Sequence, residues 1–200
     1  MLNPSRGMAL ATAVMVVVVV ASNILVHFPI NEWLTWGAFT FPFAFLVTDL
    51  SNRAYGPLKA IRVVTVGFVV GILMSAVFSD WPEPLGGWPI ICSEVAVLTA
   101  VASGSAFLSG QLLDIAIFQR LRHGYWWKAP LVSSAVASAI DTLIFFYLLF
   151  GVFYPEWGLD WFKLGIGDYA IKGLMALTLL APYRFLMGFF APTLFAPRRG

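Results

Sequence analysis

Four carboxylic acids, an amide and an amine stand inside stretches otherwise built of Val, Leu, Ile, Phe and Ala: Asp49, Asp114, Asp141, Asp168, Gln111 and Lys172. A charge in hydrocarbon costs about 2.5–3.5 kcal/mol on insertion scales, so such groups pair with one another or face a wet cavity. Ser103, Phe107, Gly110, Gln111 and Asp114 fall at offsets 0, 4, 7, 8 and 11, one face of a helix. That face joins small residues, an aromatic ring, an amide and a carboxyl group. Close helix packing explains Ser and Gly but has little use for Gln and Asp, so a cavity lining is expected. Ser134, Ser138 and Asp141 sit at offsets 0, 4 and 7 of another segment, with Asp141 near its middle. Asp49 with Arg53, and Asp168 with Lys172, are each four apart, which suits an ion pair. The first pair reads either as a boundary clamp or as a gate beside the helix break expected at Pro42. The second reads as an internal salt bridge, with Lys172 about one turn inside the outer face. Ser22 and Asn23 add a hydrogen-bonding pair, and His27 falls at a boundary.

The chemistry these groups offer is recognition. A carboxylate accepts two N–H bonds from a guanine-like edge, and a ring such as Phe43 or Phe107 stacks on a planar base. An anionic sugar phosphate would call for clustered Arg or Lys instead. The residues alone leave the ligand's identity open. The expected binding set is Asn23, Phe43, Asp49, Phe107, Gln111, Asp114, Ser134, Ser138 and Asp141, with Arg53, Asp168 and Lys172 as ion pairs or gates. An enzyme would need a nucleophile–base pair or metal ligands, and the core of the apolar stretches holds no His, His27 falling at a boundary. One cysteine, Cys92, and two histidines, His27 and His123, leave no metal site or internal disulfide to expect. No cofactor is expected. No basic run is long enough to grip nucleic acid.

The elements that position these residues must span a membrane. Of 200 residues, 60% are hydrophobic and 11% charged, against about 25% charged in soluble domains. A globule of this size could not hide so much apolar surface. A spanning helix takes about 20 apolar residues, and six segments approach that length: residues 8–28, 36–52, 60–78, 94–118, 127–153 and 168–190. The breakers between them are Pro29, Gly56-Pro57, Pro82 to Pro89, Gly124, Pro155 and Gly165–Gly167. The Val16–Val20 run does not alternate as a barrel strand would. The first segment reads as a span and not as a cleaved signal, since Ala21-Ser22-Asn23 is a poor cleavage site. The expectation is an all-α polytopic membrane protein, a bundle of six transmembrane helices forming one domain over residues 1–200.

Charge sets its orientation. Loops on the N-terminal side hold nine basic residues (Arg6, Arg53, Lys59, Arg62, Arg120, Arg122, Lys128, Arg198 and Arg199) against Lys163 alone on the other side. Both termini are therefore expected in the cytoplasm. Trp33, Trp36, Trp81, Trp88, Trp157 and Trp161 form an expected outer belt, and Trp126 and Trp127 an inner one. Gly67 and Gly71 make a GxxxG pattern. It serves packing inside the bundle or a homodimer face; another face for a homodimer is also open.

A family resemblance runs through the same segments. Thr35-Trp-Gly-Ala-Phe-Thr-Phe-Pro-Phe43, continuing into Thr48-Asp49 and Arg53-Ala-Tyr-Gly56, resembles the signature of the queuosine precursor transporters, the VUT family. Ser22-Asn23-x-Leu-Val26, Ser109-Gly-Gln-Leu-Leu-Asp114 with Phe118-Gln-Arg-Leu-Arg122, Trp126-Trp127, Asp141-Thr142 and Asp168-Tyr-x-x-Lys172 are similar to its other motifs. The match runs in order over about residues 20 to 190. Ser138 departs from it, since relatives often carry Gln or Asn there. The resemblance implies a six-span helical bundle in the bacterial inner membrane. It further implies import of 7-cyano-7-deazaguanine, 7-aminomethyl-7-deazaguanine or a related planar base for the tRNA nucleoside queuosine. The rival reading is a substrate-binding membrane subunit of a larger energised vitamin or nucleobase transporter.

Overall fold

The computed structural model describes residues 4–25, 29–31, 34–78, 94–158 and 160–190. Among these, the chain is helical apart from connecting turns and a short antiparallel pairing of Pro29–Asn31 (β1) with Leu34–Thr35 (β2). The helices are α1 (Pro4–Leu25), α2 (Gly37–Thr40), α3 (Pro42–Tyr55), α4 (Pro57–Phe78), α5 (Glu94–Leu121), α6 (Lys128–Phe146), α7 (Trp161–Thr178) and α8 (Leu180–Phe190). Lipid offers backbone amides no partners, so helices that satisfy their own amides are the natural outcome for such apolar runs, valines included. Four helical stretches among the described residues are long and apolar enough to cross a membrane: Ser5–Ser22, Val97–Leu121, Lys128–Phe153 and Trp161–Gly188.

Local sequence sets where these helices bend and stop. Pro42 has no N–H, yet Phe41 keeps helical angles and bonds back to Gly37 O at 2.9 Å, so α2 runs on into α3. At the break expected at Pro42 the two helices are divided at Phe41, which itself keeps helical angles. Gly56, at φ 87°, ends α3, and Pro57 opens α4 at once. α6 passes into a π-helical stretch, Tyr147–Phe153. Asp160 caps α7 by accepting from Lys163 N at 3.2 Å.

That cap corrects the sixth expected segment. The helix begins at Trp161, seven residues before Asp168, and Gly165 and Gly167 lie inside it. Gly165 faces α6, with Thr142 Cγ2 3.6 Å from where its Cβ would sit. Lys172 therefore lies roughly 16 Å along the helix from its start, deeper than the one turn expected.

α3 is the central element, in contact with α1, α4, α5, α6, α7 and α8. Met15, Val19, Val47, Val63, Val64 and Phe107 form one apolar cluster, and Leu46, Phe118, Tyr183 and Met187 another. A Cβ on Gly67 would stand 2.7 Å from Met15 Cγ, and one on Gly71 would stand 3.2 Å from Val19 Cγ1. The GxxxG face thus seats α4 on α1 within the chain, as its reading as bundle packing expects. The outside is apolar: Val17, Leu73, Phe162 and Phe185 are each more than half exposed. The inside holds Asp49, Asn52, Gln111, Asp114, Asp141 and Lys172. Apolar outside and polar inside is the arrangement a lipid solvent favours.

Candidate functional site

Three helix faces meet around a cavity of about 20 Å³, room for one water molecule. Pro42, Phe45, Leu46 and Asp49 present one stripe of α3; Pro130, Ser134 and Ser138 one stripe of α6; Lys172, Ala176, Leu179 and Tyr183 one stripe of α7 and α8. Each set repeats at three or four residues, the spacing that keeps side chains on one face.

Asp49 is 2% exposed. Ser133 Oγ donates to its Oδ1 at 3.4 Å, and Ser134 Oγ to its Oδ2 at 3.2 Å. Asp114 abuts Asp49, Ser133 and Ser134 from α5. Gln111, one turn away, accepts from Thr48 Oγ1 at 2.5 Å. Gln111 and Asp114 lie behind the cavity wall and do not line it.

A second cluster centres on Lys172. Its Nζ donates to Asp141 Oδ2 at 2.7 Å and to Thr142 Oγ1 at 3.0 Å, and stands 2.7 Å from Asp168 Oδ2. Thr142 Oγ1 donates to Asp168 Oδ2 at 2.8 Å. The ammonium also lies 5.1 Å from the centre of the Phe41 ring, which meets Phe107 edge-on. Asp141 is thus held by a cation across the helix interface. A polar atom buried at this depth must be partnered, and here three side chains do it together.

A third cluster ties α3 to α5 and α8. Arg53 Nη1 donates to Arg122 O at 2.5 Å and its Nε to Tyr183 Oη at 3.2 Å. Arg122 Nη2 returns a bond to Arg53 O at 3.4 Å, and its Nη1 reaches Gln119 Oε1 at 3.0 Å. Gln119 in turn donates to Asn52, and Asn52 Nδ2 reaches Ile115 O at 3.2 Å. Arg53 is not paired with Asp49. Its planar guanidinium reaches carbonyl, phenol and the Phe118 ring at once, while Asp49 takes serine hydroxyls. Tyr183 belongs both to this latch and to the cavity wall.

Of the residues singled out from the sequence, Asp49, Ser134, Ser138 and Lys172 line the cavity. Asp114, Gln111, Asp141 and Asp168 are packed around it. Phe107 is buried, but Phe43 is 38% exposed and points away from the cluster. Phe41, just before α3, and Phe45 within it are the rings that turn inward. The side chain of Asn23 lies outside the described residues, as do His27, Cys92, Trp33, Trp81 and Trp88. The sequence reading passed over Ser133 and Tyr183, and named Thr48 and Thr142 only within the family motifs. Pro42, Phe45 and Asp49 at offsets 0, 3 and 7 carried a usable signal for Phe45.

The family model described as "Putative vitamin uptake transporter" matches residues 35–186. A queuosine precursor transporter of Escherichia coli (strain K12) is 34% identical over 178 residues, 82% of this chain and 79% of that protein. A "probable queuosine precursor transporter" of Haemophilus influenzae is 35% identical over 161 residues, 74% of this chain and 66% of that protein. One of Bacillus subtilis (strain 168) is 31% identical over 157 residues, 70% of this chain and 66% of that protein. No solved structure gives a significant match. The chain belongs to this family of vitamin uptake transporters.

Proposed function

We propose that the chain is a multi-pass carrier of the bacterial inner membrane that imports queuosine precursors, planar 7-deazaguanine bases. The observation that carries the reading is the chamber of Asp49, Ser134, Ser138 and Lys172, backed by Gln111 and Asp114, inside a bundle whose outer surface is apolar. The likeness to queuosine precursor transporters supplies the substrate class. Residues 1–200 form one transmembrane domain. α1, α2 with α3, α4, α5, α6 with its π-helical extension, and α7 with α8 make six spans, and the basic asymmetry places both termini in the cytoplasm.

The cavity in this structure is one conformation of the chamber. Its volume is far below that of a purine-sized base, so loading requires the walls to part. The Arg53–Arg122–Tyr183 latch closes the basic end, which is the cytoplasmic end in this orientation. Lys172 and Asp141 hold α7 to α6 on the other side of the chamber. Nothing in this arrangement requires bond making in the substrate, and the chain acts as a carrier and not an enzyme.

The test is genetic. A bacterial host without precursor synthesis and without its own importer lacks queuosine in its tRNA at low external base. Expression of this chain restores the nucleoside if the assignment is right. Unmodified tRNA despite normal membrane abundance refutes it.

A further inference from the structure

The buried polar atoms of α5 that no neighbour satisfies form a pattern. Gln111 is fully buried; its Oε1 accepts from Thr48, and its Nε2 has no partner. One turn along the same face Asp114 is fully buried against Asp49, Ser133 and Ser134, and neither of its carboxyl oxygens makes a well-formed hydrogen bond with them. The nearby hydroxyls of Ser133 and Ser134 are turned to Asp49 instead. Native interiors rarely leave such groups unsatisfied, and a carboxyl group is among the most costly to leave so. Among the described residues no group of three His, Cys, Asp or Glu side chains is arranged to hold a metal ion there. A ligand with a matching edge satisfies all three atoms.

That edge presents one acceptor to Gln111 Nε2 and two adjacent donors to the two oxygens of Asp114. A guanine-type ring has this order: the carbonyl oxygen, the ring N–H beside it, then the exocyclic amino group. A hypoxanthine-type ring supplies the first two only. An adenine-type ring reverses the order, setting an amino group against Gln111 and a lone pair against Asp114. We infer that Gln111 and Asp114 read the guanine-type edge of the carried base, with Gln111 donating to the ring carbonyl and Asp114 accepting from the ring N–H and the 2-amino group. Thr48 is a positioning residue: its hydroxyl holds Gln111 Oε1 and so fixes which end of the amide is left to donate. Asp49 and Ser134 border both the cavity and Asp114. A base in the cavity therefore meets this edge when α3 and α6 part there. The inference rests on the reading that the chain carries a 7-deazaguanine base.

Competition separates the two claims. Cells lacking their own synthesis and importer, and expressing the full chain, take up labelled 7-cyano-7-deazaguanine against unlabelled 7-deazaguanine, 7-deazahypoxanthine or 7-deazaadenine. The expected result is that 7-deazaguanine competes at least about tenfold better than 7-deazahypoxanthine, as the loss of one hydrogen bond to a charged group implies. 7-Deazaadenine competes least. Asp114→Asn reduces the preference for the 2-amino base to about threefold or less. Gln111→Met weakens 7-deazaguanine and 7-deazahypoxanthine alike, since both keep the carbonyl, and it carries the test if Asp114→Asn fails to fold. Equal competition by the two bases in the wild type overturns the edge assignment. So does an unchanged preference in Asp114→Asn, or undiminished affinity in Gln111→Met. Those outcomes leave transport itself standing; no uptake of label by the abundant wild-type chain removes the transport reading beneath it.

Discussion

Lys172 Nζ and Asp141 Oδ2 stand 2.7 Å apart, and that contact joins α7 to α6 in the middle of an apolar bundle. Asp168 and Thr142 complete the coordination of the same ammonium. Removing one member of a buried pair costs about 3–5 kcal/mol, mostly because the remaining charge is stranded. Lys172→Met is therefore expected to lower thermal stability in detergent more than Asp168→Asn does, since it strands two carboxyl groups. Adding Asp141→Asn to Lys172→Met should restore part of the loss. Strictly additive losses in the double variant would show that the two residues do not interact.

The latch at the end of α3 makes a second prediction. Arg53→Gln removes bonds to both Arg122 O and Tyr183 Oη. With Cys92 replaced by serine and Ser134→Cys introduced, an impermeant thiol reagent added from the cytoplasmic side should label Cys at 134 several-fold faster in the Arg53→Gln background. Equal labelling in both backgrounds would show that the latch does not close that path.

Gly67 makes a third. Its missing Cβ admits Met15 at a distance no side chain could share. Gly67→Val should destabilise the fold by about 1–3 kcal/mol, the usual range for overpacking. Met15→Ala in the same chain should recover part of that. Cross-linking of the variant should show the same oligomeric state as the wild type; a shift from dimer to monomer would instead place Gly67 at an intermolecular face.

Much of this was legible from residue order, and the misses have physical causes. Apolar run length marks each helical stretch, because the requirement to satisfy backbone amides in lipid acts locally. Gln111 and Asp114 share a face by helix geometry alone. Partner choice is not local. Asp49 and Arg53 have ion-pair spacing, but the hydroxyls of α6 and the carbonyl of Arg122 compete and win. Asp141 reads as a lone mid-span acid until α7 brings Lys172 across from 31 positions away. Gly165 and Gly167 read as a break because glycine usually ends soluble helices, yet both lie inside α7, where Gly165 packs against Thr142 of α6. Phe43 and Phe45 differ only in which face of α3 they occupy, which the inward position of Asp49 decides.

Topology gives a fourth prediction. A reporter active only in the cytoplasm should work when fused after Gly200 and fail when inserted between Pro82 and Pro89. The reverse pattern would overturn the orientation drawn from the nine-to-one basic asymmetry.

Initial-rate uptake of labelled 7-cyano-7-deazaguanine, in cells without their own synthesis or importer, bears most directly on what this chain does. Wild-type cells should accumulate label saturably. Asp49→Asn, which exchanges the acceptor of two serine hydroxyls at the chamber wall for an amide, should slow uptake at least about tenfold at equal abundance. Label entering no faster with the wild-type chain than without it, at verified membrane abundance, would contradict the assignment.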